Sequence, residues 1–230
     1  MVAMNLKALI LNCTLKKSPT VSNTEALIRK VAGYMEPLGV GWELVRVIDH
    51  VVAFGVSSDE GGTDEWPRIL EKIKAADIII IGMPIWFGVR SSVAQLVMER
   101  LDGTYDESDP ATGQFPLYGK VAGCIVTGNE DGAHDCAANT LFNLSHLGCT
   151  VPPNCDCYWV GDAGPGPSYI EAGGERHMYT NKTARYLAHN VVYFARLLKD
   201  NPIPTNLNQL IEEARLESSD VCPARHGTSR

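Results

Sequence analysis

The strongest restriction on the fold of this chain is a regular alternation of short apolar segments with amphipathic helical patterns. Buried strands are predicted at residues 7–11, 42–48, 77–82 and 121–126, with a broken fifth strand at 149–151 and 157–160. Apolar residues at helical spacing predict helices at 24–35, 64–75, 91–101, 132–147 and 175–199. Because strands that alternate with helices form right-handed crossovers, the sheet is expected to be parallel and covered on both faces.

Five parallel strands with this spacing fit a flavodoxin-like three-layer sandwich, an α/β fold with strand order 2-1-3-4-5. In such sheets the ligand binds outside the carboxyl ends of the strands, where the strand order reverses. This rule selects three loops before any motif is considered. They are the first loop at 12–23, the second loop at 83–90 and the third loop at 127–133.

The regular alternation of strands and helices ends at Pro202 and Pro204. A short helix is predicted up to Leu216 with Thr205 as its N-cap, and residues 218–230 are polar and expected to be mobile. The helix carries an apolar stripe, formed by Leu207, Leu210, Ile211 and Ala214. We therefore predict one domain at 1–200 and an arm at 201–230, whose stripe covers either the chain's own surface or a partner subunit.

The charge balance argues against two classes of partner. The 230 residues include 20 Lys plus Arg and 27 Asp plus Glu, which gives a formal net charge of −7. An acidic chain has no global electrostatic reason to bind nucleic acid or an anionic membrane. No apolar run approaches the ~20 residues that span a bilayer, and the N-terminus lacks the pattern of a secretory signal. These features predict a cytoplasmic protein.

The seven cysteines are an odd number spread along the whole chain, which is a poor disulfide framework. The closest pair, Cys155 and Cys157, lacks the spacing of a redox motif, and no second pair completes a zinc site. We expect reduced, mostly buried thiols and no metal.

The first loop joins a strand to a helix and is rich in hydroxyl groups. It carries Lys16 and Lys17 and ends in helix-capping residues. Backbone N–H groups at a helix N-terminus bind phosphate well, and Ser or Thr hydroxyls add donors. The loop lacks the glycine patterns of the classical dinucleotide fold and of the P-loop. The alternative is an ordinary capped helix with solvated lysines.

The second and third loops have the composition of a site for a flat ring. Trp86 and Phe87 directly follow an apolar strand and Pro84, and exposed aromatics at a ligand edge can stack on a planar ring. In the third loop, Gly128 and Gly132 bracket polar residues that can offer backbone groups to a heterocycle. The alternatives are a hydrophobic plug or dimer contact for the second loop, and a flexible turn for the third.

Two other function classes are disfavoured by missing residues. A phosphoacceptor domain shares the sheet order but needs a carboxylate after the third strand, where this chain has Gly82, Met83 and Pro84. A hydrolase is disfavoured because the chain contains neither a G-x-S-x-G elbow nor an H-E-x-x-H pair.

Taken together, the hydroxyl-rich first loop, the Pro-Ile-Trp-Phe-Gly run at 84–88 and the Thr-Gly-Asn-Glu-Asp-Gly run at 127–132 resemble those of the NADPH-dependent FMN reductase family of flavodoxin-like proteins. The resemblance covers residues 5–198 by the order of the elements. One departure is at the start of the first loop, where the family usually has Gly-Ser and this chain has Asn12, Cys13 and Thr14.

The resemblance implies non-covalently bound FMN. It assigns the phosphate to Thr14, Lys16, Ser22, Asn23 and Thr24. It places the ribityl chain and ring along Pro84, Ile85, Trp86, Phe87 and Gly88. It places the opposite ring edge against Thr127, Gly128, Asn129 and Glu130. Because Glu130 and Asp131 would oppose the charge of reduced FMN, we expect both to face solvent or to pair with donors.

The implied activity is an NAD(P)H oxidoreductase that passes hydride through FMN to a small-molecule acceptor such as a quinone, a nitro or azo compound, or free flavin. No side chain is needed as a catalytic acid or base. The alternative is a flavodoxin-like one-electron carrier without an NAD(P)H site. The resemblance also implies a homodimer or homotetramer.

Overall fold

A computed structural model describes residues 6–164 and 166–218. Its central sheet is parallel, with the order β2-β1-β3-β5-β6, and it confirms the predicted topology. The strands are β1 (Leu6–Asn12), β2 (Val40–Arg46), β3 (Ile78–Trp86), β5 (Val121–Gly128) and β6 (Asp156–Val160). A two-residue strand that the sequence did not predict, β4 (Val89–Arg90), pairs antiparallel with the end of β3. The predicted break in the last strand is present, because residue Thr150 makes only an isolated bridge to Val121.

The described residues contain six α-helices, of which the first five cover the sheet and the sixth lies in the arm. They are α1 (Asn23–Met35), α2 (Trp66–Ala75), α3 (Ser92–Leu101), α4 (Ala133–His146), α5 (Met178–Asp200) and α6 (Leu207–Glu217). The start of α5 differs from the prediction because a 3-10 turn, Gly174–Arg176, precedes it, and the ring of His177 caps the helix by accepting from the N–H of Thr180. None of the helices in the described part of the chain is long and apolar enough to cross a bilayer.

The sheet divides the hydrophobic core into two clusters. One cluster packs the residues of α2, α3 and α4 against one face, and includes the fully buried Trp66 and Leu101. The other packs α1 and α5 against the opposite face, and includes Leu27 and Val191. The strand β3 is buried on both faces, as its continuous run of isoleucines predicts. Covering both faces leaves the carboxyl edge of the sheet as the place where loops meet.

A buried ion pair fixes the long segment between β2 and α2. The side chains of Arg100 and Asp64 are fully buried and 2.7 Å apart. The same guanidinium donates to the backbone carbonyls of Ala53 and Ser57 and lies over the ring of Trp66. Burial alone would raise the pKa of Asp64, but hydrogen bonds, led by that from Arg100, outweigh it and hold the pKa far below its usual value.

The arm after α5 lies against the loop at 109–114. The backbone N–H of Leu207 donates to the carbonyl of Thr112, and Gln114 donates to the carbonyls of Ile203 and Thr205. The N-cap of α6 is Asn206, so the prediction of Thr205 was wrong, because the Asn206 side chain accepts from the N–H of Gln209. The predicted apolar stripe is on the surface, where Leu210 and Ile211 are each 49% exposed. The tail was predicted to be mobile over 218–230, and all of it except Ser218 lies outside the described residues.

Candidate functional site

The first loop is organised around the buried residue Asn12, the last residue of β1. Its amide oxygen accepts from the N–H of Thr14 at 3.1 Å. Ser22 caps α1 by accepting from the N–H of Glu25, also at 3.1 Å. These contacts turn the chain from the strand to the helix N-terminus, and leave the first N–H groups of α1 at the carboxyl edge of the sheet.

Arg46, at the end of β2, holds this loop in place through side-chain contacts. Its guanidinium donates to the carbonyls of Lys16 (3.2 Å) and Thr20 (2.8 Å), and pairs with the carboxylate of Glu25 at 2.5 Å. Burial alone would raise the pKa of Glu25, but hydrogen bonds from Arg46 and Arg29 outweigh it, and the pKa lies below its usual value. This role of Arg46 was not predicted, because nothing in the local pattern of β2 connects Arg46 to a loop 26 residues earlier.

The second loop is a tight hairpin between β3 and β4. Its two turn residues both have positive φ, with Phe87 at 50° and Gly88 at 80°, as a type I′ turn requires. This conformation is strained for a bulky residue and costs about 1–3 kcal/mol. The hairpin holds the Phe87 ring 93% exposed and Trp86 50% exposed. Arg90 anchors its base by donating to Gln95 (2.8 Å) on α3 and to Asn143 (2.7 Å) on α4.

The third loop contacts the second loop and the start of α1, directly after the first loop. The hydroxyl of Thr127 hydrogen-bonds that of Thr24 at 2.8 Å, in a buried position. The carboxylate of Glu130 accepts from the backbone N–H of Phe87 at 3.1 Å. Glu130 therefore pairs with a donor, as expected, and Asp131 is exposed. The three loops thus form one connected unit.

A cleft of about 240 Å³ lies where the three loops meet. Eleven of the fourteen predicted residues line it, namely Thr14, Lys16, Asn23, Thr24, Pro84, Ile85, Trp86, Thr127, Gly128, Asn129 and Glu130. Ser22, Phe87 and Gly88 do not line it. Ser22 is buried as the cap of α1, and the Phe87 side chain points away into solvent. A hollow of about 310 Å³ lies between β1, β2 and α2, and one of about 490 Å³ is formed by the end of β6 and the loop after it, next to the cleft at Trp159.

Four residues that were not predicted also line the cleft. They are Leu15, Trp159, Ser168 and Tyr169. Trp159 is a buried residue near the end of β6. Ser168 and Tyr169 belong to the loop after β6, which carried no recognisable pattern. It reaches the cleft because the N–H of Ile170 donates to the side chain of Asn23 and Asn129 donates to the carbonyl of Gly166.

The donors around the cleft suit a phosphorylated flat heterocycle. One end combines the N-terminus of a 13-residue helix with the ammonium group of Lys16 and the hydroxyl of Thr14. The other end combines the ring of Trp86 with the backbone of two parallel strand ends. A cavity somewhat below the ~300 Å³ of typical ligand sites suits a ligand that remains partly in solvent.

We expect Gly132→Ala to separate the second and third loops. A Cβ at Gly132 would lie 2.2 Å from the backbone oxygen of Gly88, and the φ of 121° is itself strained for alanine. The free energy of unfolding, measured with urea, should fall by about 1–3 kcal/mol. Gly33→Ala is the matched control, because nothing lies within 4 Å of its added Cβ on α1. The control should be stabilised by about 0.5–1 kcal/mol, and equal losses in both variants would contradict the contact.

Comparison with known proteins identifies the family. The model of the NADPH-dependent FMN reductase family matches residues 6–162. The chain belongs to this family. Membership confirms the resemblance read from the three loops, and with it the predictions of an oxidoreductase, of FMN as cofactor and of NAD(P)H as reductant.

Proteins at about 45% identity to this chain are named for flavin phosphates. The chain is 45% identical to the 8-demethyl-8-aminoriboflavin-5'-phosphate synthase of Streptomyces davaonensis, over 96% of this chain and 90% of that protein. It superposes with a TM-score of 0.89 on RosB, solved with the bound intermediate 8-demethyl-8-formylriboflavin-5'-phosphate, at 44% identity and covering 98% of this chain and 92% of that one. An archaeal flavodoxin shares the fold, with a TM-score of 0.52 at 12% identity over 83% of this chain and 99% of that one.

Proposed function

We propose that the chain binds FMN in this cleft and passes hydride from NAD(P)H through the flavin to a small-molecule acceptor such as a quinone, a nitro or azo compound, or free flavin. The observation that carries the proposal is the convergence of three sequence-distant loops on one cleft at the carboxyl edge of the sheet. This is the position at which doubly wound sheets bind their ligands.

The phosphate end of the ligand belongs at the start of α1 in this proposal. Thr14, Lys16, Asn23 and Thr24 line that end. Lys16 supplies charge, the helix terminus supplies N–H donors, and Arg46 holds the loop in the shape that presents them. The side-chain oxygen of Asn23 already accepts from Ile170, so Asn23 contributes through its N–H groups.

The ring end belongs between the second and third loops. FMN would supply the redox chemistry, because its ring accepts and donates hydride. The chain contributes Trp86 as a stacking wall, the backbone of 84–86 and 127–130 along the ring edges, and Trp159 on the far side. Because Trp86 is half exposed, a second flat molecule can approach the ring from solvent.

The decisive experiment is an absorption spectrum of the purified protein followed by anaerobic NADPH and then a quinone. We expect a flavin spectrum, bleaching by NADPH and recovery with one quinone reduced per NADPH consumed. Protein that neither carries nor takes up FMN would contradict the proposal. Binding of FMN without oxidation of NAD(P)H would instead favour the one-electron carrier.

A second candidate has a specific observation in its favour, which is the 45% identity to an enzyme named as a synthase of an 8-amino flavin phosphate. In that case FMN is a substrate and its ring is altered at position 8. The test is to incubate the protein aerobically with FMN, with and without an amine donor, and to measure the mass of the recovered flavin. Unchanged FMN under all conditions supports the electron-transfer role, whereas a new flavin supports the second candidate.

We also propose that residues 1–200 form the FMN-binding unit and that the arm after it is an accessory. The arm is held by hydrogen bonds to the loop at 109–114, and its described residues, 201–218, do not line the cleft. The exposed Leu210 and Ile211 offer an apolar surface for a second copy. Light scattering of the chain truncated after Asn201 tests whether the arm supports a dimer or tetramer.

A further inference from the structure

The hydrogen bond between Phe87 and Glu130 connects a residue with positive φ to a charged side chain that lines the cleft. Glu130 lines the cleft, while its carboxylate accepts the Phe87 N–H at 3.1 Å. Phe87 is one of only two non-glycine residues with positive φ in the described part of the chain. A strained turn persists where its surroundings hold it, and it points to a functional constraint.

Two features hold the hairpin tip in this conformation. The first is the Glu130 carboxylate, which keeps the Phe87 N–H directed at itself. The second is the close packing of Gly88 against Gly132, where there is no room for a Cβ. Since the N–H already has a charged acceptor, it is not available to a ligand in the cleft.

The charge of Glu130 and the loss of the Phe87 N–H as a donor both disfavour the reduced form of FMN. Reduced FMN carries more negative charge than oxidised FMN, so a carboxylate at the cleft wall disfavours it, and an N–H donor would favour it. Lys16 is the opposing charge that lines the cleft, at the end formed by the first loop. Asp131 is the next residue along, but it is exposed and does not line the cleft.

We propose that Glu130 is a positioning residue that keeps the bound flavin strongly reducing, by placing its charge at the cleft and by withholding the Phe87 N–H. The proposal rests on the FMN site proposed above. Glu130→Gln removes the charge but keeps an oxygen that can accept the N–H. Glu130→Ala removes both, so the two effects are separable.

The test is a redox equilibrium of the FMN-loaded proteins with a two-electron reference dye, reduced stepwise and anaerobically with dithionite. FMN and dye each take up two electrons, so their spectra give the ratio of reduced to oxidised FMN at a fixed dye ratio. We expect this ratio to rise about tenfold in Glu130→Gln and several-fold further in Glu130→Ala. Asp131→Asn is the matched control, with the same loss of charge one residue away, and should leave the ratio unchanged.

Each outcome separates this inference from the proposed function. Wild-type protein that fails to bind FMN overturns the proposed function. Variants that bind FMN with an unchanged ratio, or an equal shift in Asp131→Asn, overturn only the role of Glu130. Loss of FMN from Glu130→Gln also overturns it, because the residue would then be needed for binding.

Discussion

Arg100→Ala should lower the free energy of unfolding by about 3–5 kcal/mol, the usual effect of removing one partner of a buried pair. The change leaves the fully buried carboxylate of Asp64 without its cation and the carbonyls of Ala53 and Ser57 without their donor. It also removes the guanidinium from the face of Trp66. Urea unfolding followed by tryptophan fluorescence measures the loss.

Arg68→Ala is the matched control for this loss. Its pair with Glu65 is loose, at 3.9 Å, and the Arg68 side chain is 84% exposed. Such surface pairs contribute about 0–1 kcal/mol. If the two alanine variants were equally stable, Arg100 would not be the residue that fixes the segment between β2 and α2.

Arg46→Ala should weaken FMN binding about 10- to 100-fold and leave riboflavin binding almost unchanged. Its hydrogen bonds shape the loop that presents Lys16 and the start of α1, and bonds from a charged donor are worth about 1.5–3 kcal/mol. The loss falls on FMN alone because riboflavin lacks the phosphate that this loop would hold. Quenching of flavin fluorescence gives both dissociation constants.

Arg29→Ala controls for the charge of Glu25. Arg29 pairs with the same carboxylate at 2.7 Å, but its side chain is 58% exposed and it makes no contact with the carbonyls of the first loop. FMN affinity should therefore change little in this variant. An equal loss for FMN and riboflavin in Arg46→Ala would show that Arg46 supports the cleft in general rather than its phosphate end.

The sequence predicted the sheet because its strands carry strong local signals. The run of isoleucines at 78–81 can only be buried on both faces, and the helices between strands then dictate parallel crossovers. Boundaries were less certain where a side chain decides them, as at Asn206, which caps α6 in place of the predicted Thr205. The hairpin of β4 was missed because its turn residue Phe87 is not one that normally adopts positive φ.

The site was predictable to the extent that topology brings strand ends together. Strand order alone placed Lys16, Trp86 and Asn129 on one edge, and all three line one cleft. The contribution of Tyr169 depends on a long loop folding back to Asn23, and that of Arg46 on a contact between β2 and the first loop. Neither follows from local spacing, because both are tertiary contacts of residues with no periodic pattern.

The cysteines give the two faces of the sheet separate reporters of local opening. All six that the structure describes are buried and free, and burial raises the pKa of each thiol. Cys13, Cys124, Cys136 and Cys149 belong to the cluster under α2, α3 and α4, whereas Cys155 and Cys157 belong to the cluster under α1 and α5. Alkylation requires an exposed thiolate. Labelling rates measured peptide by peptide therefore distinguish unfolding of the whole domain from local unfolding of the helices on one face of the sheet.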